Sequence, residues 1–291
     1  MGAFGSCTPV SWLGLRESPR PRTSPLVGAK ELRKCIRSMG LASKTVVVVP
    51  CYNEAKRLDC ESFLRQLEQD SELAFVFVND GSRDATSEVL GRLQARAGAR
   101  VQVLDLERNG GKANAVRAGV QRAFELNPVY IGYWDADLAT PLWCIELFAR
   151  EMERRNVSLV LGSRVRLMGT NIARSASRHY IGRGFATLAA FSLGFPVYDT
   201  QCGAKLFRAS QVFRDAFSKN FEMTWTFDVE LLHRLSGKEA RRAGFEILQH
   251  CIEYPLPEWV DAPGSKITVS HYPRILRELL QLTLRRLQRP H

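Results

Sequence analysis

Thr45-Val46-Val47-Val48-Val49-Pro50-Cys51-Tyr52-Asn53-Glu54 is the stretch on which the fold depends. Thr45 to Val49 is an unbroken β-branched run, and such side chains fit a pleated, extended backbone better than a helix, so it reads as a buried strand. Pro50 closes the run, because it cannot donate a ladder hydrogen bond. The polar residues that follow, Tyr52 to Glu54, then stand just past a strand tip.

Working outward, the same alternation repeats. Glu61 to Gln69 has helical spacing, Ala74 to Val78 is a second apolar run, and Asp84 to Arg96 is helical again. Val101 to Leu106, Lys112 to Leu126, Val129 to Trp134, Leu142 to Arg154 and Ser158 to Gly162 continue it. Continuous apolar strands alternating with helices predict an α/β domain, a mostly parallel sheet covered by helices on both faces. Ligands are then expected at the carboxyl ends of the strands, as in a Rossmann-like nucleotide-binding half. Tyr180 to Phe195 is mostly apolar or small and reads either as a core helix or as one lying in a bilayer interface. Pro273 to Leu287 places Ile275, Leu276, Leu279, Leu280 and Leu287 at helical spacing among arginines, a basic amphipathic helix.

Upstream of Thr45 the character changes. Residues 1–44 are rich in Pro, Ser and Arg without a continuous apolar core, which argues against a secretory signal and reads as a basic, disordered leader or, less favoured, an organelle transit sequence. That segment holds eight Lys/Arg against two Glu, and residues 274–291 hold five Arg against one Glu, so most of the net charge of +11 sits at the two ends. Basic ends on a nearly neutral body suit an anionic membrane surface better than nucleic acid, which calls for a basic stripe on the body itself. No run of about 20 apolar residues spans a bilayer. The seven cysteines are odd in number and scattered, without metal-ligand spacing, and fit reduced thiols facing the cytosol.

The chemistry is expected at three strand tips. Asn79-Asp80-Gly81-Ser82 follows the second strand and reads as a turn or as a donor of contacts to a base or ribose. Asn109-Gly110-Gly111-Lys112 opens a helix, where backbone N–H groups and a lysine can meet phosphate. Tyr133-Trp134-Asp135-Ala136-Asp137 is the sharpest signal. An Asp-x-Asp at period two turns both carboxylates to one side, and an oxygen-only pair suits Mg2+ or Mn2+ shared with phosphates.

Taken in order, Val-Pro-x-Tyr-Asn-Glu, Asn-Asp-Gly-Ser-x-Asp, Asn-Gly-Gly-Lys and Asp-Ala-Asp resemble the family 2 glycosyltransferases of GT-A fold. Gly162-Ser163-Arg164, Asp199 to Phe207, Phe227 to Leu232 and Gly264-Ser265-Lys266 resemble its polyprenyl-phosphate branch, and the dolichyl-phosphate β-glucosyltransferases more than the mannose synthases. The resemblance covers about residues 45–270. It implies a donor half at 45–162, an acceptor half at 163–270, and a membrane-surface helix at 271–291.

The resemblance also assigns roles. Pro50, Tyr52, Glu54, Asp80, Lys112 and Asp135 would hold the nucleotide-sugar, and Asp137, with Asp135, the metal. Arg164, Lys205 and Lys266 would act on phosphate during transfer, with Arg178 and Arg208 as further clamp candidates. Mannose synthases often carry a Gln two residues after the second Asp; here Ala139 stands there, which favours UDP-glucose over GDP-mannose. The glucosyl members usually begin with a transmembrane anchor, which is not seen here, so peripheral binding at a cytosolic membrane face is expected, that of the endoplasmic reticulum in a eukaryote or the plasma membrane in a prokaryote. The acceptor, a phosphate monoester with its second pKa near about 6, is already a nucleophile, so no general base is expected. Asp228 and Glu230, two apart on a helix, point to different faces and read as structural. A dolichyl-phosphate mannose synthase-like enzyme using GDP-mannose, a soluble-acceptor glycosyltransferase and a silent nucleotide-sugar-binding scaffold are the alternatives.

Overall fold

The computed structural model describes residues 44–173, 176–260 and 272–288. The leader, apart from Lys44, and Lys266 lie outside them. Strands β1 (Thr45–Cys51), β2 (Leu73–Asp80), β3 (Val101–Leu106), β4 (Tyr130–Trp134), β5 (Leu159–Ser163), β7 (Ala204–Arg208) and β8 (Cys251–Pro255) form one sheet in the order β3-β2-β1-β4-β7-β5-β8. All are parallel except β7, which runs antiparallel between β4 and β5. A short parallel pair, β6 (Asn171–Ala173) and β9 (Glu258–Val260), lies apart from it.

The sheet separates two apolar layers, and strand alternation decides which side chain joins which. Val47, Val49, Phe75 and Phe77 pack on one side with helices α1 (Cys60–Gln69), α2 (Thr86–Ala97) and α4 (Cys144–Arg155). Val46, Val48, Val76 and Val78 pack on the other with α3 (Lys112–Phe124), α5 (Ala176–Leu193), α6 (Gln211–Ala216), α7 (Phe227–Leu235) and α10 (Tyr272–Leu287). Short helices α8 (Lys238–Arg242) and α9 (Ile247–His250) precede β8. The expected mostly parallel sheet with helices on both faces is what forms, and the terminal helix is present.

Strand order places the site. Chain order runs outward from β1 through β2 to β3, then returns to the other side of β1 at β4. A crevice opens where the order reverses, at the carboxyl ends of β1 and β4. The segment 180–195 packs one side into the core. Ala189, Ser192 and Leu193 are buried against α10, while Leu188 and Phe191 face outward. Among the described residues no helix is long and apolar enough to cross a membrane.

Candidate functional site

The loops after β1 and β2 are sewn to each other. The Asn53 amide donates to Ser82 Oγ (3.0 Å), the Arg83 amide to Asn53 Oδ1 (2.9 Å), the Glu54 amide to Thr86 Oγ1 (2.9 Å) and the Ala55 amide to Asp84 Oδ2 (3.2 Å). Asn53 is left-handed at φ 52°, a conformation asparagine tolerates because its side chain bonds locally. Pro50 and Tyr52 line this edge half-buried, and the buried Glu54 carboxylate accepts from Arg57 at 2.7–2.9 Å. Asp80 is not a free turn residue: its two oxygens accept the amides of Gly110 and Gly111 at 2.7 and 2.9 Å. It therefore sets the Gly-Gly loop from which α3 starts. Gly111 caps that helix at φ +84°, a backbone that L side chains rarely adopt.

Lys112, the first residue of α3, puts Nζ 2.5 Å from Asp135 Oδ1, both side chains well exposed. Desolvation acts to lower the Lys112 pKa, but the charges of Asp135, Asp228 and Asp137 outweigh it and the net shift is upward. Asp137 stands in the crevice with Oδ1 accepting the Ala139 amide. Desolvation, and next the neighbouring Asp135 charge, hold its carboxyl above the usual range. Leu138 follows at φ 54°, a strained conformation for a branched residue, and such strain gathers at functional turns.

The other wall comes from the antiparallel strand. The Asp135 amide donates to the Gly203 carbonyl at 3.0 Å, and a Cβ at position 203 would lie 1.8 Å from Asp135 Oδ2. Only glycine leaves that carboxylate its place. Just behind, Lys205 is fully buried: Nζ is 2.7 Å from Asp228 Oδ1 and donates to the Cys202 carbonyl at 2.6 Å, above the Tyr133 ring. Tyr133 also donates to Asp228, and burial, then the Asp228 charge, push its hydroxyl pKa far up. Arg164 forks onto Asp199 at 2.7 and 2.8 Å over Trp259, and Glu253 accepts the Tyr198 and Asp199 amides at 2.7 Å each. Burial would raise the Asp199 pKa, but Arg164 outweighs it and the carboxyl sits below its usual value.

The structure thus gathers Pro50, Tyr52, Glu54, Asp80, Lys112, Asp135 and Asp137 along one crevice edge. The expected phosphate clamps that are described have partners within the protein. Lys205 has no exposed surface, because a lysine inside the continuous run Ala204–Phe207 is drawn into the core and pairs there with Asp228. Arg164 spends its fork on Asp199. Arg208 sits opposite Tyr130, at the far end of β4 from the crevice, and pairs with Glu153. The side chain of Arg178 and the whole of Lys266 lie outside the described residues. Asp228 and Glu230 do face differently: Asp228 holds Lys205, whereas Glu230 holds Arg234 and the amides of Glu222 and Met223. Sequence reasoning placed Asp199 and Gly203 inside a family-like motif without giving either a role, and missed Glu253; for the two acids, carboxylates on buried segments were the available signal.

Among the described residues no cluster of three or more His, Cys, Asp or Glu side chains could hold a metal by itself. Two carboxylates, one already neutralised by an ammonium, suit a hard cation that takes its remaining oxygens from a phosphorylated ligand and water.

The family model described as "Glycosyl transferase family 2" matches residues 46–213. A dolichyl-phosphate beta-glucosyltransferase of Mus musculus is 34% identical over 240 residues, covering 76% of this chain and 68% of that protein. Its counterpart from Drosophila melanogaster is 33% identical over 241 residues, with the same coverage of 76% and 68%. Among solved structures, glucosyl-3-phosphoglycerate synthase of Mycobacterium tuberculosis with Mn2+, uridine diphosphate and glucosyl-3-phosphoglycerate superposes with a TM-score of 0.57 at 16% identity, over 94% of this chain and 87% of that one. This last likeness is one of fold, the α/β GT-A sheet of nucleotide-sugar transferases. The motifs at the strand tips, the sheet that presents them and these matches agree, and the chain belongs to glycosyltransferase family 2.

Proposed function

We propose that this chain is an inverting hexosyltransferase that moves glucose from UDP-glucose to dolichyl phosphate, giving a β-linked lipid phosphate sugar. The observation that carries the reading is the pair Asp135 and Asp137 at the reversal of strand order, with Lys112 against it, in a chain whose relatives are dolichyl-phosphate beta-glucosyltransferases. In this reading Pro50, Tyr52, Glu54 and Asp80 form the nucleoside edge. Asp135 and Asp137 would hold Mg2+ or Mn2+, which when bound supplies Lewis-acid stabilisation of the departing diphosphate.

The chain's own residues do the remaining work. Lys112, at the amino end of a 13-residue helix, brings an ammonium and the positive helix terminus to the same charge. Its aspartate neighbours favour the charged form. Asp80 fixes the loop that delivers it, and Gly203 leaves Asp135 room to turn into the crevice. An acceptor that arrives as a phosphate dianion brings its own nucleophilic oxygen, so the protein supplies alignment and charge rather than a base. Inversion follows from direct attack on an α-linked donor.

The acceptor is a membrane lipid, and the reading includes peripheral attachment at the cytosolic face of the endoplasmic reticulum. The outer faces of α5 and α10 support it. Leu188, Phe191, Leu276, Leu280, Leu284 and Leu287 are all exposed there beside Arg277, Arg285 and Arg286, a pattern that suits an anionic bilayer.

A donor panel tests the reading: UDP-glucose, UDP-galactose, GDP-mannose and UDP-N-acetylglucosamine, each with one dolichyl phosphate and Mn2+. The expected result is release of UDP with a labelled glucosyl lipid from UDP-glucose alone. A preference for GDP-mannose, or UDP release without lipid product, overturns it.

A further inference from the structure

Residues 222–226 present five consecutive backbone amides, and two carboxylates take up all five. Glu230 Oε2 accepts those of Glu222 and Met223 at 2.9 and 2.8 Å. Glu278 accepts those of Thr224, Trp225 and Thr226 at 3.0–3.1 Å, and the Thr226 hydroxyl at 2.9 Å. Successive amides turned to one point form an anion-binding concavity, so here the protein fills its own nest with side chains from α7 and α10. The segment also lies beside the site: Thr224 Cγ2 is 3.8 Å from where a Cβ on Gly111 would stand, and Gly111 caps α3 and precedes Lys112.

The two carboxylates differ in what carries them. Glu230 belongs to α7, whose side chains are almost all core. Glu278 belongs to α10, which among its described side chains buries Ile275, Glu278, Leu279 and Leu282 and turns Leu276, Leu280, Leu284 and Leu287 outward. Inward Glu278 and the outward leucines sit on opposite faces of one helix, as a 3.6-residue period requires. Arg274 adds a second tie, Nη2 donating to Thr224 Oγ1 at 2.9 Å.

We propose that α10 couples lipid contact to the donor crevice: when its leucine face rests on an anionic bilayer, the helix is held in place, and Glu278 in turn holds residues 222–226 against the Gly110-Gly111-Lys112 loop. The proposal rests on the membrane reading given above and deepens it. Two features select an anionic bilayer as occupant: outward leucines at one-turn spacing and flanking arginines, the combination of buried apolar area and basic charge that interfacial helices use. Glu278 is a positioning residue, acting on the donor through the 222–226 segment.

Three measurements decide it, all on the full chain. Hydrogen exchange of the 222–226 amides should slow several-fold when phosphatidylcholine–phosphatidylserine vesicles are added; unchanged exchange in vesicle-bound protein overturns the coupling. UDP-glucose affinity with Mn2+, measured without any dolichyl phosphate, should tighten several-fold on those vesicles. In Glu278→Gln the protein should still float with the vesicles but show no tightening, and tightening equal to that of the unaltered chain overturns the proposal. Should Glu278→Gln fail to fold, the exchange measurement on the unaltered chain decides. Leu280→Asp/Leu284→Asp should cease to float while keeping its vesicle-free donor affinity; normal flotation overturns the docking face. A chain that couples normally yet makes no glucosyl lipid overturns the proposed function and leaves this inference standing.

Discussion

Two lysine–aspartate pairs flank the end of β4, and they are built for opposite purposes. Lys112 and Asp135 meet at 2.5 Å with side chains 40% and 37% exposed, whereas Lys205 and Asp228 meet at 2.7 Å with side chains 0% and 5% exposed. The first pair is wet, so its partners can exchange for other charges at little cost. The second has lost its water, and each partner depends on the other. One strand end is thus held by a fixed pair on one side and left adjustable on the other, where in the proposed reading a divalent cation would take Asp135 and a diphosphate would take Lys112.

The largest effect that sharpens this contrast is at the acid next to the wet pair. Asp137→Ala should reduce glucosyl transfer by well over about 100-fold, beyond what loss of a supporting contact costs, with thermal stability unchanged. Near-normal turnover in the presence of Mn2+ would break the contrast at once.

In the dry region, Lys205→Met should cost about 3–5 kcal/mol of folding stability, read from urea unfolding, because Asp228 is left charged and unpaired. Lys205→Met/Asp228→Leu should recover part of that loss, since both charges go while the Tyr133 hydroxyl loses its acceptor. Arg164→Gln extends the test to the second buried pair through pH. With Arg164 present, the Asp199 pKa is depressed, so its contribution is present above the unfolded value of about 3.9 and is lost only as pH falls below that. Without Arg164, burial raises the Asp199 pKa, so the folded state takes up a proton first. The variant's deficit in Tm should therefore be greatest near pH 7 and shrink towards about pH 4.5.

In the wet region, Lys112→Met should leave stability within about 1 kcal/mol yet lower turnover on the order of 100-fold, the scale of losing one aimed charge at a leaving group. A stability loss matching that of Lys205→Met would erase the distinction between the pairs. The smallest effect belongs to Glu222 and Arg285, whose side chains are 62% and 41% exposed; Arg285→Ala should change stability by about 0–1 kcal/mol in denaturation curves.

Much of this architecture was legible before any coordinates. The run Val46 to Val49 read as a buried strand, its alternation with helical segments pointed to a parallel sheet, and Asp-Ala-Asp after Tyr-Trp announced two carboxylates at a tip. Harder were the residues whose meaning depends on a partner far along the chain. Asp80 resembled a turn former because the amides it collects lie 30 and 31 residues later. Lys205 was read as a clamp by its motif, although a lysine flanked by Ala204, Leu206 and Phe207 already signals burial and so a counter-charge. Glu278 looked like a lone acid in an arginine-rich helix, and only the tertiary packing of α10 reveals three amides beneath it.

The single reversed strand has an effect that reaches beyond geometry. Because β7 runs against its neighbours, it enters the sheet at the rim where β4 leaves, so residues 202 and 203 stand beside residues more than sixty positions earlier. Had β7 run with the others, its approach would lie on the opposite rim. Substitutions at the turn before β7 and at the acidic tip of β4 should therefore fail to add, each altering what the other tolerates. A library varying 200–203 together with 135–138 would find its compensating partners across that shared rim, between segments that a map of the chain shows as strangers.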